Sequence, residues 1–239
     1  MMKPEIFPDH EVMSRAAANW LARELKRTPD ALLCLATGGT PTRAYDLLAE
    51  KRHAQPGLFR KLRVLKLDEW GGLAMDDPAT CEAHLQHHIV QPLKLGRRYF
   101  GFESQPRDAQ AECARVNEWL TANGPIGVCV LGLGVNGHLA FNEPAAFLRP
   151  HAHVATLSCA SLRHAMLNET NERPKFGLTL GMASLLQARK ILLVVSGASK
   201  RAPIQKLLSG EITPRFPASF LWLHPNVVLL CDEAARDKE

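Results

Sequence analysis

The sequence predicts a single α/β domain over residues 1–239: one doubly wound, mainly parallel sheet with helices on both faces, a Rossmann-like arrangement. Three observations predict it. Short apolar runs of strand length alternate with segments whose apolar residues recur at spacings of three and four. The runs are almost continuously apolar, the mark of strands covered on both faces, and are bounded by Gly, Pro and Asp. No internal repeat, low-complexity segment or Pro/Gly-rich linker divides the chain, and 239 residues give one full core but barely two.

In chain order, HEVMSRAAANWLARELKR (10–27) is an amphipathic helix and ALLCLA (31–36) the strand after it. TGGT (37–40) forms a loop, and Pro41 opens the helix PTRAYDLLAEKR (41–52), since proline suits a first helical turn. LRVLKL (62–67) is a strand that delivers Asp68 and Glu69 at its end. CEAHLQHH (81–88) reads as a helix with Cys81 inward and His84, His87 and His88 partly exposed. DAQAECARVNEWLTANG (108–124) is a helix before the strand GVCVLG (127–132). Further strands are expected at HVATLS (153–158), KILLVV (190–195), FLWL (220–223) and VVLLC (227–231), with SKRAPIQKLLSG (199–210) a helix among them. The polar stretch LNETNERPKFG (167–177), closed by Pro174, is expected to be a loop.

Composition narrows the function classes. With 46% hydrophobic and 22% charged residues the chain is neither disordered nor fibrous. No apolar run approaches a membrane span and the first residues lack a signal-type apolar core, so a soluble, cytoplasmic protein with no membrane partner is expected. The six cysteines form no C-x-x-C pair and several lie in apolar runs, which reads as buried thiols. The net charge of +5 is spread out, and the short basic patches KLGRR and SKRAP lack interleaved aromatics, so no nucleic-acid partner is expected.

GLGVNGHLAFNEP (132–144) contains G-x-G-x-x-G after a strand, which raises a dinucleotide site. Its context contradicts that reading. Pro144 disfavours helix at the residue before it, and no carboxylate stands about twenty positions on to hold a ribose. What remains is a glycine-rich turn at a strand's carboxyl end presenting Asn136, His138, Asn142 and Glu143. A histidine beside a carboxylate suits proton transfer near neutral pH, although a loop that only satisfies its own turn has the same composition. Thr37, Gly38, Gly39 and Thr40 stand at a helix start, where free backbone N–H groups and hydroxyls suit an anion. Asp68 and Glu69 offer a general base or merely an acidic turn.

Together LATGGTP, LDEWGGL, GLGVNGHLAFNEP, GLTLG, SGASK and LHPNVVLLCDE resemble the glucosamine-6-phosphate deaminase/isomerase family, which shares a superfamily with the 6-phosphogluconolactonases. FNEP resembles the deaminases rather than the lactonases. TCEAHLQHHIVQPL, NGH and ASFLWLH look most like the galactosamine-6-phosphate isomerase branch. The resemblance implies an enzyme that opens a 2-amino-2-deoxyhexose 6-phosphate, isomerises it and releases ammonia, giving fructose or tagatose 6-phosphate. It implies no metal and no organic cofactor. On its motifs the phosphate loop falls on Thr37, Gly38, Gly39 and Thr40, the phosphate lysine on Lys200 and a phosphate arginine on Arg163. The base moving a proton between C1 and C2 falls on Asp68, and the ring-opening acid/base on His138, supported by Glu143.

Two departures from the family pattern stand out. Glucosamine-type members have Asp two residues before the catalytic His, where this chain has Asn136, which hydrogen-bonds but carries no charge. The basic pair that allosteric members place after FNEP is missing from AAFLRPHAHVATL (145–157), so no amino-sugar-phosphate allostery is expected and a monomer or small homo-oligomer fits. Cys81, His84, His87 and His88 have helical spacing for zinc, but no second ligand pair accompanies them. The competing functions are a 6-phosphogluconolactonase-type hydrolase and a non-catalytic sugar-phosphate-binding protein.

Overall fold

The computed structural model describes residues 2–236. The element order is β1 (Pro4–Phe7), α1 (His10–Arg27), β2 (Leu32–Leu35), α2 (Gly39–Ala54), β3 (Arg63–Lys66), β4 (Asp68–Gly71), α3 (Cys81–Leu85) and β5 (Tyr99–Phe100). There follow α4 (Ala109–Asn123), β6 (Val128–Gly132), β7 (His153–Ala155), β8 (Phe176–Thr179), α5 (Met182–Leu186), β9 (Lys190–Val195), α6 (Arg201–Leu208) and β10 (Val227–Asp232). Seven strands form one sheet in the order β1-β10-β9-β6-β2-β3-β5, parallel throughout. A smaller antiparallel sheet, β4-β8-β7, stands beside it.

Alternation along the strands feeds two cores. Cys34, Cys129, Leu131 and Leu193 face one side, with Val116 of α4 and Ile204 and Leu207 of α6. Leu33, Leu35, Val130 and Leu192 face the other, with Leu21 of α1 and Tyr45 and Leu48 of α2. Because neighbouring residues of a strand point oppositely, a run such as LLCL must be apolar throughout to serve both cores. Helices α1 and α4 start where the sequence caps them: Asp9 accepts from Val12 N–H at 2.8 Å, and Asp108 accepts from Gln110 N–H at 2.8 Å.

Two expected strands differ. FLWL (220–223) lies in a 3₁₀ helix, Pro217–Leu223. Pro217 lacks the N–H a ladder needs, and the Ser219 hydroxyl and Trp222 indole turn back to the carbonyls of Phe216 and Leu207 at 2.7 Å each. HVATLS pairs only over His153–Ala155, antiparallel to β8 in the small sheet and outside the parallel one. The sequence reading missed β1, β4, β5 and β8, all of four residues or fewer, too short for a period to register. The loop expected at 167–177 holds over 170–175, between a 3₁₀ turn (Ala165–Glu169) and β8. Among the cysteines, Cys159 is exposed and the others are buried.

The sheet order places the site. From β2 the chain runs outward through β3 and β5, then returns to β6 on the opposite side and continues through β9 to β10. The strand order therefore reverses between β2 and β6, and ligands of such sheets bind at the carboxyl ends flanking that reversal. The segments leaving those ends are Thr37–Thr40 after β2, Asp68 after β3, Leu133–His138 after β6 and Ser196–Lys200 after β9.

Candidate active site

A cavity of about 440 Å³ opens at this reversal. The loop residues Thr37, Gly38, Gly39 and Thr40 line one side of it, at the start of α2. No side chain caps that 16-residue helix, which leaves the backbone N–H groups of its first turn for an anion. Beneath the loop the Thr37 hydroxyl donates to the Cys81 sulfur at 3.1 Å, and Thr42 Oγ1 donates to Gly38 C=O at 2.7 Å. Lys200 reaches the cavity from the segment after β9, and its Nζ donates to Leu133 C=O at 2.6 Å. Burial lowers the Lys200 pKa. Arg163, in a short 3₁₀ turn, also lines the cavity; it is exposed, and its guanidinium makes no hydrogen bond or ion pair among the described residues.

Asp68 enters the cavity from the first position of β4, opposite Thr179 of β8. The residue is 7% exposed, and its buried Oδ1 has no hydrogen-bond partner among the described residues. Burial, and next the charge of Glu69, push its pKa up to about 7 against the opposing pull of Lys66. Glu69 itself is structural. It points away from the cavity, fully buried, and accepts from Lys66 Nζ at 2.7 Å and from the backbone N–H groups of Trp70, Cys81 and Glu82 at 2.8 Å each. Two adjacent carboxylates thus differ because strand alternation sends one to the ligand side and the other to the protein interior.

His138 lines the cavity at the end of the glycine-rich turn. Its ring lies against Gly134, where a Cβ would sit 2.4 Å from the imidazole, so the close approach needs glycine. Glu143 and Asn136 stand behind the ring, outside the cavity lining. Glu143 Oε2 lies 3.3 Å from His138 Nδ1 and accepts from Asn136 Nδ2 at 2.9 Å, while Asn136 Oδ1 accepts from His138 N–H at 3.1 Å. Burial raises the Glu143 pKa, but the hydrogen bond and charge of His138, with hydrogen bonds from Ser161 and Asn136, outweigh it and hold the group at about 2. An anionic Glu143 on Nδ1 leaves Nε2 free for proton exchange with a ligand.

Of the candidates read from the sequence, Thr37–Thr40, Asp68, His138, Arg163 and Lys200 therefore line one cavity, with Glu143 and Asn136 behind His138. Three contributors escaped that reading: Ser161, whose hydroxyl donates to Glu143 Oε1; Ser199; and His164, which packs between the phosphate-type loop and Trp70. Ser161 and His164 lie in short turns without periodicity, where only the neighbouring Arg163 signalled the segment, and Ser199 stands beside the expected Lys200. Phe141 packs on Trp70 with ring centroids 4.5 Å apart, and both line the cavity. Around the zinc-type spacing, His84 hydrogen-bonds Thr42 and His88 pairs with Asp46, and no group of three or more possible ligands is placed to hold a metal among the described residues. Among those residues, no helix is long and apolar enough to cross a membrane.

Comparison with known proteins gives one family match, two relatives and two solved structures. A family model described as glucosamine-6-phosphate isomerases/6-phosphogluconolactonase matches residues 8–229. AgaI of Escherichia coli (strain K12), which carries a provisional name as a deaminase, is 40% identical over 223 residues, 93% of this chain and 88% of its own. A glucosamine-6-phosphate deaminase of Rhodopirellula baltica is 35% identical over 97% of this chain and 93% of its own. Among solved structures, one described as a monomeric glucosamine-6-phosphate deaminase matches with a TM-score of 0.93 at 35% identity over 98% of both chains. The 6-phosphogluconolactonase of Trypanosoma brucei shares the fold, with a TM-score of 0.78 at 19% identity over 98% of both chains.

Proposed function

The chain belongs to the glucosamine-6-phosphate isomerase/6-phosphogluconolactonase family, and from that membership we propose that it is an amino-sugar 6-phosphate deaminase/isomerase. Its reaction takes a 2-amino-2-deoxyhexose 6-phosphate and water to the ketohexose 6-phosphate and ammonia. One observation carries the reading: the unpaired buried carboxylate Asp68 faces the same cavity as the His138–Glu143 pair and the open N-terminus of α2.

The 6-phosphate binds at Thr37–Thr40 and Lys200, with Arg163 closing over it. His138 Nε2 moves the proton between the anomeric hydroxyl and ring oxygen that opens the sugar, and Glu143 stabilises the imidazolium formed in transit. Asp68, as the carboxylate, takes the C2 proton of the open aldose while the substrate's 2-ammonium group passes one proton to O1, giving a neutral enolamine, and Asp68 then delivers its proton to C1. That leaves an iminium at C2; water adds there, C2–N breaks, and ammonia departs as the ketone forms. A carboxyl held near pH 7 suits both halves of this transfer, because it gives up its proton about as readily as it takes one. The FNEP ending at 141–144, which resembles the deaminases, favours deamination over lactonase activity. The relatives named as glucosamine-6-phosphate deaminases support the same reaction.

For the epimer, the stretches TCEAHLQHHIVQPL and ASFLWLH favour galactosamine 6-phosphate over glucosamine 6-phosphate, with tagatose 6-phosphate as product. The protein acts without metal or organic cofactor, in the cytoplasm, as a monomer like the deaminase structure it resembles. Ammonia and ketohexose 6-phosphate measured together from both epimers test the proposal. Equal amounts of the two products, faster from the galacto epimer, are expected. Rapid hydrolysis of fresh 6-phosphogluconolactone with no ammonia from either amino sugar would refute it.

Asn136 gives a pH prediction. Asp at this position brings a second carboxylate to Glu143 Oε2 and to His138, which favours the imidazolium. Asn136→Asp is therefore expected to move the pH–rate profile to higher pH. Superimposable profiles for the two proteins would rule out this electrostatic role.

A further inference from the structure

We propose that His164 is a further anion-binding residue of this cavity, a neutral donor to the phosphate group of the substrate; the proposal rests on the phosphosugar reading above. Its ring lines the cavity across from the loop after β2. A Cβ on Gly38 would lie 3.2 Å from both Cε1 and Nε2 of the imidazole, so the loop meets the ring edge with no space for a side chain between them. Gly38 has φ +104°, a conformation that L side chains rarely adopt, so the same glycine permits both the turn and the approach.

The tautomer follows from the other nitrogen. His164 Nδ1 accepts the Met166 backbone N–H at 3.3 Å, capping the 3₁₀ turn Ala165–Glu169. The proton of a neutral ring is then on Nε2, the atom nearest Gly38 and without a hydrogen-bond partner among the described residues. Trp70 holds the ring from behind, with centroids 5.9 Å apart. The charged and titratable groups around it are His138, Lys200 and His84; burial first, and then the charges of His138 and Lys200, disfavour its protonation. The cavity thus presents an oriented, uncharged N–H beside the first turn of α2, where an anion also meets backbone N–H groups.

The position is also tied to the catalytic histidine. Glu143 Oε2 faces His138, while its Oε1 accepts from the Ser161 hydroxyl and from Ser158 N–H at 3.3 Å. One carboxylate therefore fastens the segment carrying Arg163 and His164 to the proton-transfer pair, and a phosphate drawn against His164 sits at a set place relative to His138.

Two substitutions separate donating from capping. Asn at 164 retains an oxygen close to the Nδ1 position and so the cap, but loses the distant donor. Gln places an amide N–H near the Nε2 position and loses the cap. Calorimetric binding of inorganic phosphate at fixed pH, with steady-state kinetics on the hexosamine 6-phosphates, reads both. His164→Asn is expected to weaken phosphate binding and raise KM roughly 10- to 100-fold, as befits a hydrogen bond to a charged group, with kcat little changed. His164→Gln is expected to recover most of both. Wild-type phosphate affinity in His164→Asn with a defect only in His164→Gln would make the residue a structural cap and overturn the proposal. A wild-type protein that binds no phosphate would overturn both it and the phosphate-loop assignment. If the wild type binds phosphate, His164→Asn weakens that binding and neither protein releases ammonia, the His164 assignment stands and the deaminase reading falls.

Discussion

Asp68→Asn is expected to lower kcat for ammonia release by about 10²- to 10⁴-fold, the range for removing a positioned general base. Asn keeps the shape of the side chain but cannot take up the C2 proton. The pH dependence has a fixed sign: Asp68 works as the carboxylate, so wild-type activity falls as pH drops through about 7. Stability should move the other way. Between the ordinary carboxylate range and pH 7 the folded state holds a proton that the unfolded chain has released, so this group's contribution to stability declines as pH rises through that window and is lowest above it. Asp68→Asn removes that decline, and its melting temperature relative to wild type should be more favourable at pH 8 than at pH 5. Calorimetry at the two pH values checks it, and a constant difference would argue against the raised carboxyl.

Lys66→Met is expected to destabilise the fold by about 3–5 kcal/mol, the cost of leaving buried charge unpaired. The Lys66 side chain is wholly buried in β3, with Nζ 2.7 Å from both Glu69 Oε2 and Glu82 Oε2. Burial lowers its pKa, but the two glutamates outweigh this and raise it, so the cluster holds a protonated lysine. Tyr99 OH also donates to Glu82 at 2.7 Å, tying β5 to the network. The melting temperature should fall by roughly 6–20 °C, given about 2–4 °C per kcal/mol for a chain of this size. Adding Glu69→Gln should recover part of the loss, because less uncompensated charge then remains; a double variant no better than the single would place the effect in packing. The same lysine opposes the rise of the Asp68 pKa, so surviving Lys66→Met enzyme should need higher pH for activity.

The parallel sheet was legible because its central strands are apolar at almost every position, serving both cores, and the longer helices because their periods run for eight residues or more. FLWL misled because composition alone cannot distinguish a buried 3₁₀ turn from a strand, and Pro217 was the overlooked cue. The small sheet was invisible because its strands have three or four residues each and pair across distant parts of the chain. At the site, Asp68, His138 and the loop Thr37–Thr40 were readable since they follow strands directly. The division of labour between Asp68 and Glu69 was not, because it depends on which face of β4 each side chain takes. His164 was hidden for a different reason: it owes its place to Gly38, 126 positions away by residue number, and to the cap it forms on Met166.

The decisive comparison is the initial rate of ammonia release from galactosamine 6-phosphate and glucosamine 6-phosphate at pH 8, for wild type beside Asp68→Asn. Release from at least one epimer by the wild type, reduced at least about a hundredfold in the variant with the fold intact, is expected. No ammonia from either sugar, or equal rates for the two proteins, would contradict the assignment of this cavity as a deaminase site built on Asp68.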